Sequence, residues 1–205
     1  MTAGQESLAF RTSRAWWRRK RVLIPAALLA VVVFLLLLGV SGLLVLSFGE
    51  GSSGAPTLPA CKGGLIAEGF SYHLRDPHRG EVVNFHIRGN IGEPVAPDPD
   101  GSDFIAKRVI GIPGDTITWR NNRVLVNGKK ADDIPTPEFA TARLGRDEYF
   151  VLGDNRSHSQ DSRDFGPVPR DAIFARVILV WWPLDRIGLV SYDKTLTPPG
   201  AVQCD

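Results

Sequence analysis

Lys107–Asp115, KRVIGIPGD, combines a charged residue, an apolar run and a turn within nine residues. Val109 and Ile110 are typical of a β-strand, and Pro113-Gly114 is typical of a β-turn because proline fixes φ and glycine accepts a positive φ. A lysine in such a strand either extends its head group into solvent or is buried. Burial lowers the lysine pKa, and a neutral amine can accept a proton from a serine hydroxyl. This stretch alone leaves both alternatives open.

Short apolar runs separated by turn-rich segments continue along the chain. They predict strands at Leu65–Phe70, Val82–Ile87, Ile105–Gly111, Thr116–Trp119, Val124–Val126, Tyr149–Leu152, Ile173–Trp182 and Ile187–Tyr192. Asn121-Asn122 predicts a hairpin turn, whereas Asn90–Ser102, with three prolines and two glycines, predicts a surface loop. The expected fold is therefore mainly β, with an all-β domain over residues 49–205 and a small inserted lobe at roughly residues 127–147.

A long apolar segment precedes this domain. Residues 22–48 contain no charged residue, and a helix rising 1.5 Å per residue over this length can cross a hydrocarbon core of about 30 Å. Because the apolar region of a secretory signal peptide is only about 7–15 residues long, the segment predicts a transmembrane anchor. The basic cluster Arg18–Arg21 then places residues 1–21 in the cytoplasm and the domain outside. The lipid bilayer is thus an expected partner.

The composition argues against several other classes of function. The chain has 24 Lys+Arg against 22 Asp+Glu. Much of the excess basic charge lies before the anchor, so no basic patch predicts nucleic-acid binding. The four histidines show no metal-ligand spacing, and we expect neither a metal nor another cofactor. Cys61 and Cys204 could form a disulfide outside the cell or remain two unpaired thiols.

Two further stretches contain candidate catalytic side chains. Gly51–Leu58, GSSGAPTL, surrounds two serines with glycines, which let a substrate backbone approach closely, although this composition is also typical of a linker. Gly153–Arg163, GDNRSHSQDSR, concentrates hydroxyls, carboxylates and guanidiniums on a predicted loop, which Asp–Arg pairs could hold rigid. It could also be a solvated turn. His158 beside Ser159 and Asp161 does not favour a Ser-His-Asp triad, because adjacent residues on an extended backbone point apart.

Taken together, these motifs and their order resemble the characteristic sequence boxes of bacterial type I signal peptidases. The resemblance covers the apolar segment, GSSGAPTL, FSY with LRDP at Phe70–Pro77, RGEVV at Arg79–Val83, KRVIGIPGD and GDNRSHSQDSRDFGPV at Gly153–Val168. It implies a membrane-anchored serine endopeptidase with an all-β catalytic domain at the outer face of the bacterial plasma membrane. The substrates would be exported preproteins, cut after small residues at the first and third positions before the bond, commonly Ala-X-Ala.

The same resemblance implies roles for individual residues. Ser53, three residues before Pro56-Thr57-Leu58, would be the nucleophile, with its backbone N–H as an oxyanion donor. Lys107 would be the general base, oriented by a hydrogen bond from Ser159. The residues expected to brace the site through ion pairs are Asp154, Asp161, Arg163 and Arg108. The residues expected to line the substrate pocket are Gly51, Ser52, Gly54, Leu58, Ile105 and Ala106.

The chain departs from the family pattern at three positions. Glu81 replaces the usual aspartate, and Gly51 stands where some members add a serine hydroxyl. Gly54 stands where the family has a methionine after the nucleophile. Since the missing side chain would loosen the geometry of attack, the sequence predicts that Gly54→Met raises kcat/KM by roughly tenfold. Two alternatives stay open: a weakened or silent paralogue that binds signal peptides or a partner, and a Ser-Lys protease dedicated to itself or to one substrate.

Overall fold

The computed structural model describes residues 23–37, 43–88, 93–94 and 103–192. The chain divides into two compact units, Met1–Gly42 and Leu43–Asp205. The described part of the first unit is helix α1, residues 23–37. Among the described residues, no helix combines the length and the apolar character that a membrane span requires. The predicted cytoplasmic tail of residues 1–21 lies outside the described residues, as do Cys204 and most of the predicted loop Asn90–Ser102.

The predicted anchor spans residues 22–48, but its last residues, from Leu44 onwards, belong to a strand in the structure. Leu44–Glu50 form β1, which pairs antiparallel with β2 (Lys62–Glu68). Ser47 is buried while Leu46 and Phe48 are exposed, as expected when successive side chains point to opposite faces of a sheet. The prediction was wrong here because a continuous apolar run of Leu, Val and Phe is compatible with either element.

The second unit is built mainly from β-strands, which confirms the predicted fold class. After β1 and β2 its strands are β3 (Val82–Arg88), β4 (Glu93–Pro94), β5 (Asp103–Gly111), β6 (Thr116–Arg120), β7 (Arg123–Val126), β8 (Lys129–Lys130), β9 (Ala142–Arg143), β10 (Glu148–Leu152), β11 (Val168–Pro169), β12 (Ile173–Trp182) and β13 (Gly188–Leu189). Short helical elements are α2 (Ser162–Phe165) and 3₁₀ turns at Phe70–His73, Arg156–His158, Arg170–Ala172 and Leu184–Arg186.

The described strands form two antiparallel sheets. Nine strands make the main sheet in the order β1-β2-β12-β3-β5-β10-β11, with β13 paired to β12 and β4 paired to β3. The small sheet has the order β8-β7-β6-β9. It includes the predicted hairpin, whose turn residues Asn121 and Asn122 have φ of 51° and 61°. The small sheet therefore begins at Thr116, before the residues 127–147 expected to form an inserted lobe, because the hairpin pattern cannot show which sheet the hairpin joins.

The central strand β3 is buried on both faces. Val83 and Phe85 pack into a cluster with Val109 on one side, and Val82 packs with Leu58 on the other. A third cluster, containing Ile117 and Phe150 among others, includes residues from both sheets. The middle strands of the main sheet, β3 and β5, are therefore held rigidly in place.

Candidate active site

Ser53 and Lys107 are brought together by the fold. Lys107 Nζ lies 2.7 Å from Ser53 Oγ, although the residues are 54 positions apart. Ser53 is on the loop after β1, and Lys107 projects from β5. An amine and a hydroxyl at this distance can exchange a proton when the amine is neutral.

The Lys107 amine is well suited to be neutral. The side chain is buried, with 6% of the residue exposed, so the alternative of a solvated head group is wrong. Burial lowers the pKa of Lys107 to about 8; Arg163 also lowers it, whereas Asp161 and Asp154 raise it. At pH 8 about half of the molecules would therefore carry a neutral amine, against well under 1% for an unperturbed lysine.

The loop after β10 holds the serine loop in place. Asn155 donates from its backbone N–H to Ser53 O at 3.0 Å and from its side-chain amide to Ser52 O at 3.2 Å. Gly153 makes this approach possible, since a Cβ there would lie 2.6 Å from Ser53 O. The sequence alone indicates no role for these two residues beyond a turn, which a Gly-Asp-Asn run after a strand predicts.

The Ser53 backbone N–H is free to act as the expected oxyanion donor. Within the part of the chain that the structure describes, it donates to no backbone or side-chain acceptor. The loop around it is closed by other groups: Ala55 N–H donates to Ser52 O at 3.1 Å, and Gly51 exchanges two backbone hydrogen bonds with Cys61. Cys61 is disulfide-bonded.

A buried ion pair connects the serine loop to the centre of the fold. Arg108 donates from Nε and Nη2 to the two carboxylate oxygens of Asp154 at 2.8 and 2.7 Å. Both side chains are 3% exposed. The guanidinium also donates to Thr57 Oγ1, Gly80 O and Ser191 O at 3.0, 2.6 and 3.0 Å. One side chain thus joins four segments of the chain next to Lys107.

A second ion pair fixes the loop that follows β10, close to the Ser53–Lys107 pair. Asp161 is fully buried and accepts hydrogen bonds from Arg163 Nε and Nη2 at 2.7 and 2.9 Å. It also accepts one from Gly153 N–H at 3.0 Å and caps the amino end of α2 together with Asp164. The four charged residues expected to brace the site therefore form two pairs, Arg108–Asp154 and Arg163–Asp161.

Ser159 does not make the expected hydrogen bond to Lys107. Its Oγ has one long contact, 3.5 Å from Gln160 O, whereas the hydrogen bond of Lys107 Nζ goes to Ser53. The Ser159 side chain packs on Gly153, where a Cβ would lie 2.2 Å from its Oγ. The direction of a side chain on an irregular loop depends on tertiary contacts, which the sequence does not show.

A cleft of about 350 Å³ opens beside the dyad. Five of the residues expected to line the pocket do so: Gly51, Gly54, Leu58, Ile105 and Ala106. Ser52 does not line the cleft; its carbonyl accepts a hydrogen bond from the Asn155 side-chain amide. Residues that the sequence analysis missed also line the cleft, among them Ser47, Phe48 and Asn84.

Leu58 fills the space beside Gly54. A Cβ at Gly54 would lie 2.8 Å from Leu58 Cδ1 and 2.9 Å from Leu58 Cβ. The Leu58 N–H donates to Gly54 O at 2.8 Å, which fixes the Leu58 backbone. Leu58 thus occupies the space into which a methionine side chain at position 54 would extend, which argues against the gain expected from Gly54→Met.

We now expect Gly54→Met to lower kcat/KM on a signal-peptide substrate by roughly tenfold and to lower Tm, because overpacking a filled site costs about 1–3 kcal/mol. The double variant Gly54→Met/Leu58→Ala should recover much of both losses, since the added side chain then occupies the vacated space. Leu58→Ala alone is the control for lost packing. A Gly54→Met protein as stable and active as its parent would mean that Leu58 moves aside freely.

Comparison with known proteins places the chain in a family. The family model described as signal peptidase, peptidase S26 matches residues 19–182, and the chain belongs to this family. Signal peptidase IB of Staphylococcus aureus is 30% identical over 192 residues, which cover 82% of this chain and 93% of that relative.

Other relatives match over shorter regions. A Synechocystis sp. protein named "Probable signal peptidase I-2" is 39% identical over 134 residues, covering 63% of this chain and 59% of that protein. This chain thus spans less than two thirds of the length of that relative. A solved signal peptidase I from Enterococcus faecalis V583 is 28% identical, with a TM-score of 0.38 over 48% of this chain and 94% of that chain.

Proposed function

We propose that the protein is a membrane-associated serine endopeptidase that removes signal peptides from exported preproteins through a Ser53–Lys107 dyad. The observation that carries this proposal is the 2.7 Å contact between Ser53 Oγ and the buried Lys107 amine, beside a cleft, in a member of the signal peptidase family. Buried lysines of lowered pKa are the kind of group that activates a hydroxyl nucleophile.

In this mechanism Ser53 Oγ attacks the carbonyl carbon of the scissile bond and transfers its proton to Lys107 Nζ. The Ser53 backbone N–H donates to the oxyanion of the tetrahedral intermediate. The protonated amine then donates its proton to the leaving amine, which yields the acyl-enzyme. Lys107, neutral again, takes a proton from the water that attacks the ester, and returns it to Ser53 Oγ as the bond between Oγ and the acyl carbon breaks.

The cleft supports a preference for small residues before the cut. Gly51, Gly54 and Ala106 line it together with larger side chains, among them Leu58, Phe48 and Phe104. Leu58 limits the room beside Gly54, which favours a small substrate side chain there. In an extended peptide the first and third residues before the cut face the same side. An Ala-X-Ala sequence would place both alanines against this surface.

The proposed membrane association rests on the apolar segment and its basic flank. With β1 beginning at Leu44 and Leu43 O accepting from Gly69 N–H, an anchor would be confined to residues 22–42, about 32 Å of helix at 1.5 Å per residue. That length matches the hydrocarbon core, and Arg18–Arg21 favours a cytoplasmic amino terminus. The catalytic unit would then face the outside of the plasma membrane. The silent-paralogue alternative rested on Gly54, whose space Leu58 fills, and we do not propose it.

Incubating the full-length protein in lipid vesicles with a preprotein, followed by mass spectrometry of the new amino terminus, tests the proposal. We expect one cut directly after an Ala-X-Ala sequence. The matched control is the same preprotein with phenylalanine at the first position before the cut, which should resist cleavage. Cleavage of several unrelated preproteins would distinguish a general enzyme from a dedicated one. An intact preprotein, or equal cleavage by Ser53→Ala, would overturn the proposal.

A further inference from the structure

Asn84 is a buried polar residue to which the proposed mechanism gives no role. It lies on β3 with 1% of its surface exposed. Among the residues that the structure describes, neither its Nδ2 nor its Oδ1 has a hydrogen-bond partner. Buried side-chain amides are nearly always paired, so an unpaired one calls for a specific explanation.

The position of Asn84 places the amide at the floor of the cleft. Asn84 pairs with Ala106 on β5 and with Ala175 on β12, and cross-strand neighbours share one face of a sheet. Its side chain therefore stands between two methyl groups. Ala106 directly precedes Lys107, and both Ala106 and Asn84 line the cleft that contains Ser53.

The chemistry of the amide defines what it can recognise. It offers two N–H donors and one carbonyl acceptor, and a hydroxyl can serve as acceptor and donor to the same amide. Between two alanines, the matching group is a short hydroxyl side chain. Because both amide atoms are shielded from solvent in the free protein, the amide must turn towards the cleft as that side chain enters. Its terminal torsion is broad, which makes such a turn inexpensive.

We propose that Asn84 is a specificity-determining residue that hydrogen-bonds the hydroxyl of a serine or threonine at one of the two substrate positions facing the floor, the first or the third before the cut. This inference rests on the proposed function and goes beyond it, since it predicts that Ser or Thr is preferred to Ala at one position. An alanine substrate leaves the buried amide without a hydrogen-bond partner. The free-energy cost of that unpaired amide discriminates against alanine and in favour of serine or threonine.

The test compares kcat/KM for four peptides: the Ala-X-Ala parent and three versions with serine at the first, second or third position before the cut. We expect serine at the first or the third position to raise kcat/KM, and serine at the second, whose side chain faces away, to have no effect. In Asn84→Val the ratio of serine to alanine substrates at the responsive position should fall by roughly tenfold. An unchanged ratio, or a uniform loss for all four peptides, would overturn the proposal; the latter would indicate contact with the peptide main chain.

Binding separates this inference from the proposed function. The thermal shift that each peptide induces in Ser53→Ala, and in Ser53→Ala with Asn84→Val, reports recognition without cleavage. If the serine peptide is bound preferentially but the parent protein cuts nothing, the proposed function fails and the role of Asn84 stands. If every peptide is cut with no preference for serine, the role of Asn84 fails and the proposed function stands. If no peptide is bound or cut, both are overturned.

Discussion

Replacing Ser53 or Lys107 with alanine is expected to reduce kcat/KM for signal-peptide cleavage by on the order of 10⁴-fold or more, with the fold retained. The two side chains act as one unit, because the hydroxyl is a weak nucleophile without a base 2.7 Å away. The double variant should therefore lose little more than either single variant. Circular dichroism and Tm establish that each variant is folded.

The pH profile of the parent protein gives an independent measurement of the same dyad. Only the neutral amine can accept the Ser53 proton, and burial lowers the pKa of Lys107 to about 8. Activity should therefore be low where Lys107 is protonated and rise with pH through about 8, not through the value near 10.4 of a solvated lysine. A profile that is flat across this range would rule out Lys107 as the base.

Ser52→Ala is the matched control, since it removes a hydroxyl from the adjacent residue. Ser52 holds its position through its carbonyl, which accepts from Asn155 and from Ala55 N–H, so losing its hydroxyl should change kcat/KM by only a few-fold. Equal losses in Ser52→Ala and Ser53→Ala would contradict the assignment of the nucleophile, as would an active Lys107→Ala protein.

Asp154→Ala is expected to destabilise the catalytic unit by about 3–5 kcal/mol, because it leaves the Arg108 guanidinium buried without its counter-ion. At about 2–4 °C per kcal/mol for a chain of this size, Tm should fall by roughly 10 °C. Both side chains of the pair are 3% exposed, so solvent cannot replace the lost carboxylate.

The control for this substitution is Asp133→Ala, which removes the same atoms from an exposed pair. Lys130 and Asp133 are 53% and 69% exposed, and such solvent-exposed pairs contribute little to stability. Tm measured by calorimetry should therefore hardly change. Equal shifts of Tm in Asp154→Ala and Asp133→Ala would contradict the prediction, because the buried Arg108–Asp154 pair would then stabilise the protein no more than the exposed Lys130–Asp133 pair.

The strands of the catalytic unit could be predicted because their patterns are local. Ile173–Trp182 was placed at its observed bounds, since a long run of β-branched and aromatic residues needs no tertiary information. The Asn121-Asn122 turn was placed correctly because asparagine tolerates positive φ. The strand β1 could not be distinguished from a continuing anchor, since only its pairing with β2 separates strand from helix in that apolar run.

The side-chain contacts of the candidate site could not be predicted from the sequence to the same extent. The pairing of Arg108 with Asp154, and of Arg163 with Asp161, depends on which loop side chains meet across the fold. The direction of Ser159 and the filling of the Gly54 space by Leu58 depend on packing between segments. The resemblance to a family gave residue identities, and only the fold shows their distances.

The proposed base, Lys107, and the ion-paired residue Arg108 are consecutive residues on β5. Lys107 lines the cleft of the dyad, while Arg108 lines a separate cavity on the other side of β5. Deleting the residue before Lys107 would therefore put Arg108 at its position and present a guanidinium to Ser53. A guanidinium stays protonated at any physiological pH and cannot accept a proton. A change of two residues would restore the faces but move Lys107 by about 6.6 Å along the strand, out of reach of Ser53. This makes β5 a poor site for insertions or deletions in engineered variants.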